Sequence, residues 1–209
     1  MQRTIIKNAK LLLPQGVVKN GFLICSDGKI VGLGEGECSV SPEDLVIDAA
    51  YNYVSPGFID MHTHGAGGYD FMDATLEAYL GAAEMHAKHG TTALLPTTLT
   101  STNEELFHTF EVYTNAKQQN KKGAAFLGLH LEGPYFALSQ KGAQDPKYLR
   151  NPSPEEYMEI LNATNDIVRW SLAPELDGAM EFGRELTSRN ILPSIAHTDA
   201  IYEEAIQAF

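Results

Sequence analysis

Cysteine, positive charge and long apolar runs are all scarce in this chain, and each shortage excludes a class of protein. Only Cys25 and Cys38 occur in 209 residues. Two are too few for a disulfide framework, so they read as reduced packing thiols of a cytoplasmic protein. Lys and Arg total 15 against 27 Asp and Glu, a formal net charge of −12. That balance argues against nucleic acid and against anionic membrane surfaces as partners. Small substrates stay open, because a pocket can hold a local positive field inside an acidic shell. No apolar stretch is long enough to cross a bilayer as a helix. The Met1–Leu13 stretch breaks its apolar residues with lysines and has no cleavage site, unlike a signal peptide. Repeats of solenoid length, a P-loop, a dinucleotide-binding glycine signature and a Gly-x-Ser-x-Gly elbow are all missing.

What is present is a hydrophobic fraction of 44%, enough for one sizeable core. Residues 1–53 alternate in short strands, Thr4 to Leu13, Val17 to Cys25 and Lys29 to Leu33, with Leu45 to Asp48 as one more. Pro14-Gln-Gly16 and Ser26-Asp-Gly28 are turn sequences between them. The expectation is a small antiparallel, sandwich-like β domain, only partly present, that carries no catalytic grouping.

From Val54 the rhythm changes to strand, polar tip, helix. Phe58, Ile59 and Met61 form an apolar run suited to a buried strand. Further strands are expected over Thr92–Thr98, Ala124–Leu131, Ile167–Ala173 and Leu192–Ala196. Helices are expected over Ala74–His89 with Gly90 closing it, Thr102–Gln119, from a Ser153 cap with Pro154 in the first turn, over Asp177–Arg189, and from Ala200. Five successive βα units predict a parallel sheet. Both a flavodoxin-like open sheet and a (β/α)₈ barrel can be built from such units. Polar residues recur at the strand ends, where barrel enzymes keep their chemistry: His62, His64, Thr97, Thr98, Glu132, Glu175 and His197. That recurrence favours the barrel. A whole barrel needs about 250 residues, so residues 54–209 read as the N-terminal part of one and the chain as truncated.

Alternation along a strand puts His62 and His64 on one face. Each is an ordinary loop histidine if taken alone. Together with Glu132 and with His197 on the fifth strand, they suit a divalent ion, zinc or another borderline metal, as one ion or two. His130 shares a face with Glu132 and reads equally well as a hydrogen-bonding barrel residue or a direct participant. His86, His89 and His108 lie on helices and read as surface residues. A metal held by imidazoles and a carboxylate suggests assisted hydrolysis of an amide or ester.

Pro56-Gly-Phe-Ile-Asp-Met-His-Thr-His-Gly65 resembles the opening strand of the amidohydrolase superfamily. His89-Gly-Thr-Thr92 with Pro96-Thr-Thr98, Gly128-Leu-His-Leu-Glu-Gly-Pro134, Lys141-Gly-Ala143, Leu172-Ala-Pro-Glu175 and Ala196-His-Thr-Asp-Ala200 narrow the resemblance to the N-acetylglucosamine-6-phosphate deacetylases. It runs from about Ile6 to the last residue. The resemblance implies hydrolysis of N-acetylglucosamine 6-phosphate to glucosamine 6-phosphate and acetate. It implies Glu132 and His197 as ligands of a principal metal, and His62 and His64 as holders of a second. Ala143 matches a substrate-contacting position. Gln144 stands where the family usually has histidine, so a contact there to sugar or phosphate would come from an uncharged amide. The family's catalytic aspartate, phosphate-binding arginine and third metal histidine fall beyond Phe209, which implies little activity for this chain alone. It also implies a homodimer for the full-length enzyme. Two other readings stand beside this one. The first is an amidohydrolase of a cyclic amide or another acyl-amino sugar; the second is a non-catalytic barrel fragment.

Overall fold

The structure, a computed structural model, describes residues 2–209. The chain divides into two compact units, Met1–Gly57 and Phe58–Phe209. In the first, β1 (Thr4–Leu13), β2 (Gly16–Ser26) and β3 (Lys29–Glu35) form a meander in which neighbours run antiparallel. Asp27 and Gly28 both take positive φ at the β2–β3 turn, the conformation that matches the twist of a two-residue hairpin. β4 (Leu45–Asp48) and β5 (Tyr53–Val54) then pair with β1 in parallel. The sheet is therefore mixed rather than antiparallel throughout. The cause lies between β3 and β4, where the chain crosses back to β1 instead of turning on itself. Asp44, bonded by Arg3 at 2.6 Å, pins the start of that parallel register.

The second unit opens with β6 (Phe58–Thr63), a short hairpin of β7 (Gly65–Ala66) and β8 (Tyr69–Asp70), and α1 (Leu76–Lys88). Thr75 caps α1 through the Ala78 amide, and Gly90, at φ +94°, carries the chain out of it. β9 (Thr91–Pro96) leads to α2 (Asn103–Gln119), which starts on a Thr102–Glu105 capping box. β10 (Ala125–Phe126) and β11 (Leu129–Glu132) lead to α3 (Pro154–Ala163). Pro154 opens α3 as expected, but the Ser153 hydroxyl makes no cap bond. β12 (Ile167–Leu172), α4 (Ala179–Ser188), β13 (Leu192–Ile195) and α5 (Tyr202–Ala208) complete the series.

Strand order decides between the two architectures. β6 pairs with β9 and β9 with β10; β11 pairs with β12 and β12 with β13, all parallel. A parallel bridge from Thr97 to His130 joins β9 to β11. Spatial order therefore follows chain order, which is barrel winding, whereas a flavodoxin-like sheet places its first strand inside. The unit is an incomplete (β/α)₈ barrel of five parallel strands.

The strand expected over Ala124–Leu131 is broken at Gly128. There φ is +151°, and a Cβ would lie 2.5 Å from Val168 Cγ1. The Leu127 amide still bonds Leu94 of β9, while the Leu129 amide bonds Asp166 just before β12. Gly128 is thus where the chain transfers from one neighbour to the other.

The core lies between helices and strands. Tyr79 of α1 and Phe110 and Tyr113 of α2 pack with Leu94, Phe126 and Leu129, and Phe182 of α4 meets Trp170 edge-on at 4.9 Å. The apolar run of β6 is not in that core: Phe58, Ile59 and Met61 are 70%, 62% and 52% exposed. Among the described residues β6 pairs with a strand on one side only, β9, and an edge strand has fewer packed neighbours to cover such a run. Among the described residues no helix is long and apolar enough to cross a membrane.

Candidate metal centre

Four expected residues meet at the C-terminal ends of the strands. β6 delivers His62 and, one residue past its end, His64; β11 ends in Glu132; His197 follows β13. Glu132 is the hub, its side chain 6% exposed. Its Oε1 lies 3.1 Å from His197 Nε2 and 3.6 Å from His62 Nε2, and its Oε2 lies 3.1 Å from His64 Nε2. The ligand atoms of His62, His64 and Glu132 all fall within 4.8 Å of one another. His62 and His64 have ring centres 5.1 Å apart, almost perpendicular.

Local backbone features aim these groups. His197 takes φ +49°, a left-handed conformation that costs a non-glycine residue about 1 kcal/mol or more. Its carbonyl accepts from the Ala137 amide at 2.9 Å. Its Nδ1 is 2.7 Å from the Gln140 carbonyl, and Phe136 lies against its ring at 4.5 Å. The loop from Gly133 to Arg150 is thereby fastened to the end of β13, where Ser139 and Gln140 also bond Asp199. His64 Nδ1 faces the Thr97 carbonyl at 3.2 Å.

These bonds test whether the residues suit a cation. A carbonyl only accepts, so Nδ1 carries the hydrogen in both His64 and His197. A neutral imidazole then presents a bare electron pair at Nε2, here aimed at a carboxylate oxygen about 3.1 Å away. Two electron-rich atoms facing each other need a proton or a metal ion between them. Carbonyl-bonded imidazoles of this kind recur around protein-bound zinc. The donor set fits a divalent ion.

Charge follows the same geometry. Burial opposes ionisation of Glu132, yet the bonds from His64 and His197 outweigh it and hold the carboxyl down at about 2. The bond to Glu132 raises His64, while burial lowers His62, which at 3.6 Å makes no hydrogen bond to the carboxylate. His130 is wholly buried; desolvation, with Arg169 and His62 nearby, drives it down to about 3. It bonds Ser171 Oγ at 2.7 Å through Nε2 and faces Thr97 Oγ1 at 3.4 Å. His130 thus makes the contacts of a hydrogen-bonding barrel residue beneath the centre.

Other expected residues lie elsewhere. Glu175 accepts from Thr198 Oγ1 at 2.5 Å and from the Asp199 amide, shaping the turn after β13. Ala143 is exposed on the loop. Gln144 is 3% exposed and bonds Glu132 and Thr100. His89 and His108 are exposed, as expected of surface residues. His86 is half-buried instead, its Nε2 3.1 Å from Thr63 Oγ1, between the two strand-tip histidines. The signal for it was present: His86 follows Ala82 and Ala83 at helical spacing, and both are fully buried. No sequence signal marked the Thr97 and Gln140 carbonyls, because every residue has one.

Residues 53–209 match the sequence pattern described as the Amidohydrolase family. The chain belongs to that family. Among curated relatives, an N-acetylglucosamine-6-phosphate deacetylase of Bacillus subtilis is 31% identical over 201 residues, covering 94% of this chain and 50% of its own. An N-acetylgalactosamine-6-phosphate deacetylase of Escherichia coli O157:H7 is 29% identical over 206 residues, 98% of this chain and 53% of its own. The crystal structure of N-acetylglucosamine-6-phosphate deacetylase from Pasteurella multocida superposes with a TM-score of 0.90 at 30% identity, over 99% of this chain and 54% of that one. The amidohydrolase chain described here thus spans about half the length of the relatives it matches, at 50% and 53%.

Proposed function

We propose that this chain carries the metal-binding part of a cytoplasmic hydrolase that deacetylates N-acetylglucosamine 6-phosphate, giving glucosamine 6-phosphate and acetate. The observation that carries the reading is the convergence of His62, His64 and His197 on one buried carboxylate, Glu132. Glu132 and His197 would hold the principal ion, with His62 and His64 available to the same ion or a second; zinc suits the donors. The chemistry such an ion supplies is Lewis acidity, acidifying water and polarising an amide carbonyl. The chain's own part is to hold the imidazoles. The Thr97 and Gln140 carbonyls fix which nitrogen of His64 and His197 faces inward, and burial of Glu132 keeps competing water from its carboxylate.

The same geometry bears on rate. Among the described residues, every ion pair of these three imidazoles goes to Glu132. A carboxylate used as a ligand is not free to carry a proton between water and the leaving amine. The proposal therefore includes slow turnover by this chain, and, on the family resemblance alone, a homodimeric form.

Zinc-loaded protein incubated with N-acetylglucosamine 6-phosphate should release measurable but slow acetate, and E132Q none. Faster ring opening of a hydantoin, monitored as loss of its ultraviolet absorbance, would replace the substrate assignment with a cyclic amide. N-acetylgalactosamine 6-phosphate belongs in the same assay, because a relative of nearly equal identity is named for it.

A further inference from the structure

Gln144 stands at a position for which the resemblance implies a substrate contact, yet both ends of its amide are used inside the protein. Its Oε1 accepts from the Thr100 backbone amide and from the Thr100 hydroxyl, each at 2.8 Å. A backbone N–H can only donate, so the oxygen end of the amide must face Thr100. The NH₂ end therefore faces Glu132, with Nε2 3.1 Å from Oε2. Reversing the amide would set donor against donor at Thr100 and oxygen against carboxylate at Glu132. Its orientation is thus dictated from both sides, and at 3% exposure the side chain has little surface left for a sugar.

We propose that Gln144 is a positioning residue for the metal-binding carboxylate: it fixes the plane of Glu132 so that Oε1 serves His62 and His197 while Oε2 serves His64. The last torsion of a glutamate is soft, with no sharp staggered well. The neighbours of Glu132 do not lock it alone, since the imidazoles approach from other strands and change partners when a cation enters between them. Gln144 does not change partners, because Thr100 holds its far end. The 3.3 Å bond from the Glu132 amide to Thr98 Oγ1 steadies only the backbone. Gln144 thereby links the long loop after β11 to the centre without touching the ion or the substrate.

This inference rests on the metal reading above, and its test separates the two. Metal-stripped protein is titrated with zinc by competition against a chromophoric chelator, with circular dichroism as the check on folding. Q144L removes the donor at similar volume, and Q144M does so with a more adaptable chain. Loss of an outer-shell partner typically weakens metal binding about 10–100-fold, and that is the loss expected of both. Q144H keeps one acceptor for Thr100 and one donor for Glu132, and should return affinity towards that of the original protein. If Q144L fails to fold, Q144M carries the comparison. Folded variants that bind zinc as tightly as the original overturn the inference, and a raised KM at unchanged zinc affinity would return Gln144 to the substrate. An original protein that takes up no zinc at all defeats the metal reading first, and the inference falls with it.

Discussion

Gly142 shows how a single residue shapes the centre. It takes φ +58°, and a Cβ there would lie 3.3 Å from His197 Cε1. Gly142→Ala is expected to cost about 1–2 kcal/mol in backbone strain and to push His197 off Glu132. Zinc affinity should fall together with the unfolding midpoint; an unchanged affinity would mean that the loop does not set His197. His130 provides a pH test. Its folded pKa is held down at about 3 against an ordinary 6.5. Between those values the unfolded chain binds a proton that the folded chain refuses, so stability falls as pH drops through that window, by up to about 1.4 kcal/mol per pH unit. Above 6.5 and below 3 this residue adds no slope. Urea unfolding at pH 6.5 and 4.5 should show a smaller acid loss for H130Q than for the original, and equal losses would contradict a buried neutral imidazole. At this scale the sequence was informative where chemistry is rare. Imidazoles and a carboxylate at strand tips stand out, and His62, His64, Glu132 and His197 come together as expected. The bonds of Gln144 did not stand out, because one partner, Thr100, lies on a different loop.

Periodicity made the elements readable and their environments less so. The helices fall close to their expected places because caps and end signals are local: Thr75 and the Thr102–Glu105 box start α1 and α2. The burial of β6 did not follow, because an apolar run says that a strand can be covered, not that a neighbour covers it. Ile59, 62% exposed, and Leu94, fully buried on β9, are the natural pair to compare. Leu94→Ala should cost about 2–5 kcal/mol, and Ile59→Ala under about 1 kcal/mol, since most of its surface already meets water. Chemical denaturation measures both. An Ile59→Ala cost as large as that of Leu94→Ala would show that β6 is covered in solution. The break at Gly128 was not read, since one strand was expected straight through it: Val168, the side chain that demands glycine there, is on another strand.

Across the whole molecule, function depends on the winding. Five parallel strands lie side by side in chain order, so their C-terminal tips form one continuous row. Residues far apart in sequence, His62 on the first strand and His197 after the fifth, therefore reach the same carboxylate on the third. An open sheet with its first strand inside would scatter them. Family membership and the superposition on a deacetylase agree with that winding, and the chain does this within about half the length of its relatives, 50% in one case. The direct test is an anomalous difference map at the zinc edge from crystals of the zinc-loaded protein. The account predicts a peak bonded to Glu132 and His197, with His62 or His64 on the same ion or a neighbouring one. No peak at Glu132, or zinc bound only at surface sites away from these four residues, would contradict it.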